Sequence, residues 1–527
     1  MNNLFLTEQK SFIWQRRDNL CFIGYVFDES NKYFDDERAL ELFSNAKNKE
    51  ELKVLLNKIN GVYSLVIKLK EGIVVCSSHM RYFPLFYTKI NEKWTISDSC
   101  EKLMEIGANN QFSEISKLEY LKQGFVRDNR TLYSDIFSVQ SGEIVLLNEK
   151  IHNEFYYFHP LTNFEIIEKS ILKKRLKIVI DNVGLRLANS LKGKTPVLPL
   201  SGGYDSRLIA YMLKNAGFSD VICFSYGKPN PESEISEKVA KELGYKWLFV
   251  DYTKIENLDG VFNSEEFHNY AHYAANGVSM PFLQEYPAIK ELHERKLIPE
   301  NSVFIPGHAG GFIAGSFMGY HIFSDLSYDE LAKNLFETNY NFASMSISEK
   351  KKIFKHIQIQ VDKYNGKNRN LIPYTIAEGI TQQERMTKFI INSSKVFNYF
   401  GYETRFPFWD YEIESFFRYL PYKHRLNKTL FKEVVESTCF KPNNILFKKE
   451  LQPTASDYFK QNIKKPFKKF LPQWAKKNLI KKNDWMCYNE FTAVLQKKLK
   501  DNNIKVLRKY NEYNAIICYW YLNLLKK

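Results

Sequence analysis

Cysteine is scarce in this sequence, and the few cysteines follow no pattern. There are 7 in 527 residues, an odd number, and no Cys-x-x-Cys spacing occurs among them. The sequence therefore indicates neither a disulfide framework nor a zinc site. The cysteines are Cys21, Cys76, Cys100, Cys223, Cys439, Cys487 and Cys518. We expect a reducing, cytoplasmic environment.

Signals for secretion and for membrane insertion are also missing. Residues 1–10 contain no basic start followed by a long apolar run, which a signal peptide requires. The longest late apolar stretch, residues 515–525, is interrupted by Asn523 and is too short to cross a bilayer. We therefore expect no signal peptide and no transmembrane helix.

Acidic residues are outnumbered by basic ones. The chain has 75 Lys and Arg against 60 Asp and Glu, a formal net charge of +15. This charge would suit nucleic acid, an anionic membrane surface or an anionic substrate, and it is equally typical of a lysine-rich proteome. A length of 527 residues exceeds what one hydrophobic core fills, so two or three domains are expected.

Two structural patterns follow each other along the chain. Residues 20–150 contain short strands rich in β-branched and aromatic residues, with a helical segment at 39–57 between the first two. This part predicts a sheet-rich α+β domain that ends near residue 160. From about residue 165 a long helix is followed by alternating strands and helices, which predict a doubly wound parallel sheet. Residues 265–527 read as largely helical.

A glycine-rich loop lies between the first strand of that sheet, 196–200, and the next helix. Its sequence, Ser201-Gly202-Gly203-Tyr204-Asp205-Ser206, offers hydroxyl groups, unobstructed backbone N–H groups and a helix N-terminus to an anion. A Walker-type lysine is absent. An aspartate beside a polyphosphate suits a bridging divalent cation. We predict a nucleotide site that is not a P-loop; the alternative is an ordinary strand-to-helix cap.

A second glycine-rich loop, residues 303–315, again follows a short apolar strand. Loops of this kind are often structural turns, but two of them in one parallel-sheet domain would suit one polyphosphate. Ligands of such sheets bind beyond the carboxyl ends of the strands. The residues predicted to bind the nucleotide are Leu200, Ser201, Gly202, Gly203, Asp205, Ser206, Tyr226, Gly307, Gly310 and Gly311.

Charged residues are interleaved with aromatic ones in three later segments, 384–387, 403–410 and 425–432. This density is unusual for a solvated face. For Glu403, Arg405 and Asp410 we favour a buried network that holds helices together.

In their order these segments resemble the asparagine synthetase family. Residues 201–206 match its PP-loop, and 307–315 stand where the family has Gly-Asp-Gly-x-Asp-Glu-x-x-Gly. Residues 403–410 stand for Glu-Val-Arg-x-Pro-Phe-Leu-Asp, and Lys428 with Lys432 for Lys-x-x-x-Arg.

The first part of the chain resembles the family's glutamine-hydrolysing domain, so the resemblance covers nearly the whole sequence. The matching segments are 82–87, 96–99, 130–133 and 141–142. The resemblance implies a degenerate Ntn-type, class II amidotransferase-like domain at 1–160. It implies at 161–527 a PP-loop synthetase domain, like the adenine nucleotide alpha hydrolases, with a helical C-terminal part.

The resemblance also implies an activity. A ligase of this type uses ATP and Mg²⁺ to adenylate a substrate carboxylate, and ammonia or an amine then converts the acyl-adenylate to an amide. Lys428 would stabilise the negative charge that develops on phosphorus; its alternative is an exposed helix lysine. Small-molecule substrates are expected, and nucleic acid is not.

Three positions depart from the family pattern. Asn2 stands where the family has its N-terminal glutaminase cysteine, so we expect no glutaminase activity and a separate source of ammonia or amine. Gly311 replaces the second metal-binding aspartate, which leaves Asp205 as the carried-over ligand. Either ATP and water hold Mg²⁺, or Asp325 or Asp329 takes part, or the site is weakened.

His308 occupies the position that serves as general base in parts of the family. A histidine of near-neutral pKa could deprotonate the attacking amine, and Glu384 is the candidate that would orient it. The alternative is a loop histidine bonded to backbone.

The departure at Asn2 brings the chain closer to the β-lactam synthetase branch and to asparagine synthase-like proteins of surface-polysaccharide pathways. A sugar carboxylate would suit the basic surface. The lysine-rich segment 460–482 could contact an anionic membrane, although a solvated basic face is favoured. Two other functions stay open: a tRNA-modifying PP-loop enzyme and a non-catalytic binding or partner subunit.

Overall fold

The computed structural model describes residues 3–158, 160–315, 326–365, 371–447, 484–507 and 512–526. The strands, numbered in chain order, are β1 Leu4–Phe5, β2 Gln15–Arg17, β3 Leu20–Phe27, β4 Tyr33–Phe34, β5 Asn60–Leu69, β6 Gly72–Ser77, β7 Phe86–Ile90, β8 Lys93–Ser97, β9 Phe137–Ser138, β10 Glu143–Leu147, β11 Ile151–Phe155, β12 Thr195–Pro199, β13 Ile222–Gly227, β14 Lys246–Asp251, β15 Ser302–Phe304 and β16 Glu403–Thr404.

The α-helices are numbered in the same way. They are α1 Arg38–Ser44, α2 Lys49–Leu56, α3 Cys100–Glu105, α4 Glu114–Gln123, α5 Lys169–Asn189, α6 Tyr204–Asn215, α7 Pro231–Leu243, α8 Leu258–Asn263, α9 Glu265–Ala275, α10 Tyr286–Glu294, α11 Gly310–Ile313, α12 Tyr328–Asn339, α13 Ile347–Asn365, α14 Pro373–Thr381, α15 Lys395–Tyr399, α16 Tyr411–Arg418, α17 Tyr422–Arg425, α18 Thr429–Val434, α19 Tyr488–Asp501 and α20 Glu512–Leu524.

Shorter helical turns join these elements. The π-helical turns are Gln382–Ile390 and Val435–Phe440, and the 3₁₀ turns are Tyr252–Lys254, Ile391–Ser394, Pro407–Trp409, Leu426–Lys428 and Lys441–Asn443.

Two sheets form the N-terminal part, which is layered helix, sheet, sheet, helix. One sheet has the order β11-β10-β6-β5-β3-β2, with β4 on β3, and the other has the order β1-β8-β7-β9. Their facing sides share one buried cluster that includes Val66 and Tyr87. The outer side of the larger sheet buries residues of α1 and α2, such as Phe43, and the outer side of the smaller sheet packs on α3 and α4. Alternation of side chains across each strand makes both faces apolar.

The C-terminal part is built on a five-stranded parallel sheet of order β14-β13-β12-β15-β16. Leu198 and Cys223 face one helical layer, whereas Val197 and Ile222 face the other, so both faces are buried. This confirms the predicted fold class, an α+β two-sheet domain followed by a doubly wound α/β domain. The domain boundary at 160 stays a prediction; β11 ends at Phe155, and α5 begins at Lys169.

The helix predicted at 39–57 is two helices rather than one. The chain breaks between α1 and α2, and Asn48 caps the second helix by accepting a hydrogen bond of 2.9 Å from the Glu51 N–H. An asparagine that satisfies a free N–H group favours a new helix start over continuation. The predicted segment 460–482 and Asp325 lie outside the described residues. Among the helices that are described, none is long and apolar enough to cross a membrane.

The segment 403–410 lies in the seam between the two parts. The Arg405 guanidinium is buried against three N-terminal rings, with centroids at 4.9 Å for Tyr25, 5.1 Å for Tyr33 and 5.7 Å for Phe12. It also donates to a Glu403 carboxylate oxygen at 2.8 Å. Cation–π contacts and a buried ion pair therefore hold the two parts together.

The predicted network of Glu403, Arg405 and Asp410 is wrong for Asp410. Asp410 does not pair with Arg405; it accepts two hydrogen bonds from Arg186 of α5, at 2.6 and 2.8 Å. Asp410 is also the N-cap of α16, accepting from the Glu412 N–H at 2.9 Å, and this turns its carboxylate away from Arg405. Arg186 bonds the Glu412 carboxylate as well, at 2.6 Å.

We expect Arg186→Met to lower the free energy of unfolding by about 3 kcal/mol, because it leaves the buried Asp410 carboxylate without its cation. Lys177→Met, on the same helix, is the control. Lys177 forms a more exposed pair with Asp181, and its loss should cost about 0.5 kcal/mol or less. Denaturant unfolding measures both. Equal effects of the two substitutions would contradict the assignment.

Candidate active site

The two glycine-rich loops meet at the point where the strand order of the parallel sheet reverses. β12 has β13 on one side and β15 on the other, so the connections leave it in opposite directions. The loops that follow β12 and β15 therefore begin side by side at the carboxyl edge. In doubly wound sheets this crevice is the ligand site.

Two glycines permit the close approach of these loops. A Cβ added at Gly310 would lie 2.8 Å from Asp205 Cγ and 3.0 Å from a ring carbon of Phe408. A Cβ at Gly307 would lie 3.1 Å from the Ser206 backbone nitrogen. Both glycines were predicted to bind the nucleotide. Their visible role is to let the second loop pack directly on the first.

Hydrogen bonds within the first loop fix its shape. The Ser206 hydroxyl accepts from the Ser201 N–H at 3.1 Å, and the Ser201 hydroxyl accepts from the Gly203 N–H at 3.2 Å. The loop leads into α6, whose N-cap residue Gly203 has no side chain to bond the first-turn N–H groups. A helix start of this kind is suited to an anion. Leu200 is buried beneath it and donates its N–H to Phe224 O at 2.9 Å.

Arg207 fixes the shape of the same loop, and the sequence analysis did not predict this role. Its side chain is fully buried, and it donates to Gly202 O at 2.6 Å and to Ile445 O at 3.0 Å. The guanidinium also lies 5.2 Å from the Phe440 ring centroid. Its position directly after the motif was a signal, but an arginine in the first turn of an amphipathic helix normally faces solvent.

Asp205 and Lys428 lie together although 223 positions separate them. Lys428 Nζ is 3.3 Å from Asp205 Oδ1. Burial raises the pKa of Asp205, while the Lys428 charge and a hydrogen bond from the Gly311 N–H offset part of that effect. An acidic side chain from the loop and a basic one from the start of α18 therefore lie together. A site that binds phosphate together with a metal cation requires such a pair.

The backbone at Lys428 is held in an uncommon conformation. Asn427 and Lys428 are consecutive residues in the left-handed region, with φ of 54° and 59°. Such positions cost free energy for residues other than glycine and often occur where a side chain must be placed for function. Lys432, one turn further on, is exposed. The structure therefore distinguishes the two lysines that the sequence grouped.

Asp205 is the carboxylate that the described residues place at the glycine loops as a possible metal ligand. Gly311 contributes its N–H to Asp205 rather than a ligand oxygen. Asp329 is exposed on α12 and accepts from Gln358 at 3.0 Å, with no described contact to Asp205. Across the described ranges, no group of three or more His, Cys, Asp and Glu could hold a metal ion. Any Mg²⁺ here would take its other ligands from phosphate and water.

His308 lies at the start of the second loop and contacts Ser393. Its Nε2 is 2.9 Å from Ser393 Oγ, which is also 2.9 Å from Ile390 O. Desolvation lowers the pKa of His308 to about 4, so the imidazole is neutral at neutral pH. The expectation of a near-neutral pKa is therefore wrong, although a neutral ring can still accept a proton.

Glu384 does not orient His308, and this expectation is also corrected. Its carboxylate accepts from Lys388 at 2.7 Å, from Gln360 at 2.8 Å and from the Asp128 N–H at 2.9 Å. Burial alone would raise the pKa of Glu384, but Lys388 and Arg127 hold it below its usual value. The helical (i, i+4) spacing gives Glu384 a nearer partner than any histidine. It joins the two parts of the chain instead.

Tyr226 lies at the carboxyl end of β13, next to the first loop. Its hydroxyl donates to Glu285 Oε1 at 3.1 Å, and its ring stacks on Tyr252. Burial raises the pKa of Glu285 to about 7. No sequence motif marked Glu285, which is the N-cap residue of α10.

No protein-family model matches the sequence, and no curated protein matches it. Among solved structures, the chain is similar to an allosteric regulatory enzyme of purine biosynthesis, with 13% identity and a TM-score of 0.20 over 46% of this chain and 63% of that one. It is similar to glutamine phosphoribosylpyrophosphate amidotransferase from B. subtilis, with 10% identity and a TM-score of 0.19 over 56% and 62%.

An NH3-dependent NAD synthetase from Campylobacter jejuni is similar at 17% identity and a TM-score of 0.21, over 43% of this chain and 96% of that one. The chain spans about three fifths of the length of the first two structures. Likenesses at these scores carry no argument about activity. The functional assignment rests instead on the strand order and on the geometry of the two loops.

We expect Gly310→Ala to lower the free energy of unfolding by about 1 to 3 kcal/mol, because the new methyl group must displace Asp205 or Phe408. Gly184→Ala is the matched control. Gly184 lies in α5, and its added Cβ would meet Met212 at an ordinary 3.5 Å. That substitution should stabilise the helix by about 0.5 to 1 kcal/mol. Changes of the same sign in denaturant unfolding would argue against the close approach of the loops.

Proposed function

We propose that this chain is an ATP-dependent amide-forming ligase of the asparagine synthase-like type. It would adenylate a substrate carboxylate, release pyrophosphate, and pass the acyl group to ammonia or an amine. The observation that carries the proposal is the meeting of Asp205 and Lys428, 3.3 Å apart, at the glycine loop on the switch point of a parallel sheet. The absence of a Walker lysine from the loop supports this lysine's role.

The loop supplies donors for a polyphosphate. The first-turn N–H groups of α6 and the hydroxyls of Ser201 and Ser206 line one short segment, and Arg207 holds that segment in shape. Lys428 would stabilise charge as the carboxylate oxygen attacks the α-phosphorus and the bond to pyrophosphate breaks. Mg²⁺, when bound, would neutralise phosphate charge, and Asp205 is the residue that would hold it.

Amide formation needs a proton acceptor. When the amine attacks the acyl carbon, AMP leaves and the nitrogen loses a proton. His308 is neutral at neutral pH and lies on the loop next to Asp205, so it can take this proton. Its low pKa makes it a weak base, and we assign it a proton-accepting role rather than strong general-base catalysis.

The amine would come from outside the N-terminal part. All seven cysteines are buried. Burial raises the pKa of each thiol, which keeps it protonated, and a glutaminase requires a thiolate nucleophile. This supports free ammonia or a small-molecule amine as the second substrate. A cytoplasmic location stays a prediction.

We expect Lys428→Met to lower the rate of carboxylate-dependent ATP–pyrophosphate exchange by roughly a hundredfold or more, because the positive charge proposed to stabilise the transition state is removed. Lys432→Met is the matched control, since Lys432 is exposed on the same helix. A panel of amino acids and sugar acids should be tested. Absence of exchange with every acid would favour a non-catalytic binding subunit, which the single carboxylate at the loop would suit.

Glutamine hydrolysis by the purified chain should be undetectable. The physical reason is that none of the seven thiols is placed or ionised as a nucleophile. Ammonia release from glutamine can be followed with and without ATP and a carboxylate substrate. Ammonia release that thiol alkylation abolishes, and that is absent from a mock preparation made without the chain, would overturn this part of the proposal.

A further inference from the structure

A cavity of about 950 Å³ lies between the N-terminal part and the helices of the C-terminal part. It is separate from the glycine loops, and none of the residues assigned to the nucleotide lines it. Its wall includes aromatic side chains such as Tyr133 and polar side chains such as Asn276 and Thr387. The volume is that of a site for a small molecule.

Lys395, the first residue of α15, lies on the wall of this cavity. Its ammonium donates to the carbonyl oxygen of Tyr82 and lies 4.1 Å from the centre of the Tyr82 ring. Among the described residues it has no ion-pair partner. Desolvation, together with the charge of Arg81, lowers the pKa of Lys395 to about 7, and the Asp98 carboxylate offsets only part of this shift. Keeping a lysine charged in a desolvated position without an ion-pair partner costs free energy.

Arg81 lies on the same wall and is also nearly buried, with 5% of its surface exposed. It donates through Nε to Val139 O at 2.7 Å and through Nη2 to Ser138 Oγ. No carboxylate among the described residues pairs with it. Burial lowers the pKa of Arg81 to about 10. Two cations, the buried Arg81 and the half-buried Lys395, therefore lie on the wall of one cavity, and neither has an ion-pair partner among the described residues.

Two other charged groups on the wall have partners of their own. Asp98 accepts from Trp14 Nε1 at 3.0 Å and from the Thr7 N–H at 2.9 Å. Lys388 is paired with Glu384 at 2.7 Å. The remaining ionisable residues that line the cavity are Glu8, Cys100, Glu101, Tyr133, His272, Tyr273, Tyr521 and Lys526. None of them forms an ion pair with Arg81 or Lys395 in the described parts of the chain.

We propose that this interdomain cavity binds a small-molecule oxyanion, a carboxylate or a phosphoryl group, between Arg81 and Lys395. The bound anion supplies the counterion that both cations lack and relieves their mutual repulsion. Amide and hydroxyl groups on the wall suit a hydroxylated molecule. The site does not depend on the proposed ligase activity, because it uses none of the residues assigned to that reaction.

Isothermal titration of the full chain without nucleotide tests the proposal. The probes are glucuronate, glucose 6-phosphate and uncharged glucose. We expect at least one anionic sugar to bind and glucose not to bind. Binding of one anion alone identifies the group that the site prefers. Failure of both anions to bind overturns the proposal, whatever the result of the ATP–pyrophosphate exchange assay.

Substitutions locate the binding. Lys395→Met should weaken it at least tenfold, and Lys395→Arg, which keeps the charge, should retain it. Lys122→Met is the control, since Lys122 is a buried lysine outside the cavity that bonds Ser344 O at 2.7 Å and pairs with Glu349 at 3.4 Å. Removing an unpaired buried charge should not lower the thermal stability of the Lys395→Met chain. Equal affinity in Lys395→Met and wild type would place the anion elsewhere and overturn the proposal.

The pH dependence gives a second readout. Glucuronate stays ionised above pH 5, so its own charge does not change. Below pH 7 Lys395 is already protonated, whereas above pH 7 the anion must bind together with a proton. The affinity of wild type should therefore fall more than tenfold between pH 6.5 and 8.5. This fall should be absent in Lys395→Arg. An identical pH profile in both proteins would contradict the role of Lys395.

Discussion

The contact between the loops after β12 and β15 is the constraint on which the site depends. Strand order brings the two loops together, but only residues without a side chain let them touch, as the 2.8 Å from a Gly310 Cβ to Asp205 Cγ demonstrates. Once the loops are in contact, Asp205 is fixed from one side by the Gly311 N–H and from the other by Lys428. The position of the Asp205 carboxylate, its hydrogen bond from the backbone and its packing thus all depend on the contact between these two loops.

Charged side chains inside this protein fall into two groups. Most are neutralised by a partner from a distant part of the chain, as with Arg186 and Asp410, or by one on the same helix face, as with Glu384 and Lys388. These pairs fix the segments that carry them and explain why charged residues occur among aromatic ones at 384–410. Arg81 and Lys395 form the second group, because neither has an ion-pair partner among the described residues and carboxylates act on them only from a distance. Burying charge without an ion-pair partner costs free energy, and this is why we propose an anion between these two residues.

Much of the fold could be predicted from the sequence because local signals agree with each other. The strand that ends at Leu200, the glycine loop and the helix after it each carry their own pattern, and their succession defines a parallel sheet. The position of Lys428 beside Asp205 could be inferred from a resemblance alone, since no local rule links residues 223 apart. The (i, i+4) spacing of Glu384 and Lys388 is a local signal that the assignment of Glu384 to His308 overlooked. The partner of Asp410 carried no such signal, because Arg186 lies 224 positions away on α5. Glu285 carried no signal at all.

The seam around Arg405 has a consequence for how this chain could be divided. The guanidinium is enclosed by Phe12, Tyr25 and Tyr33, all from the first part, while its backbone belongs to the second. Cutting the chain near residue 160 would expose those three rings on one fragment. On the other fragment, Arg405 would lose the aromatic side chains that surround it. Even if the first part catalyses no reaction, the second part needs its side chains to cover the buried Arg405. Loss of activity in one half of such a protein need not lead to loss of that half.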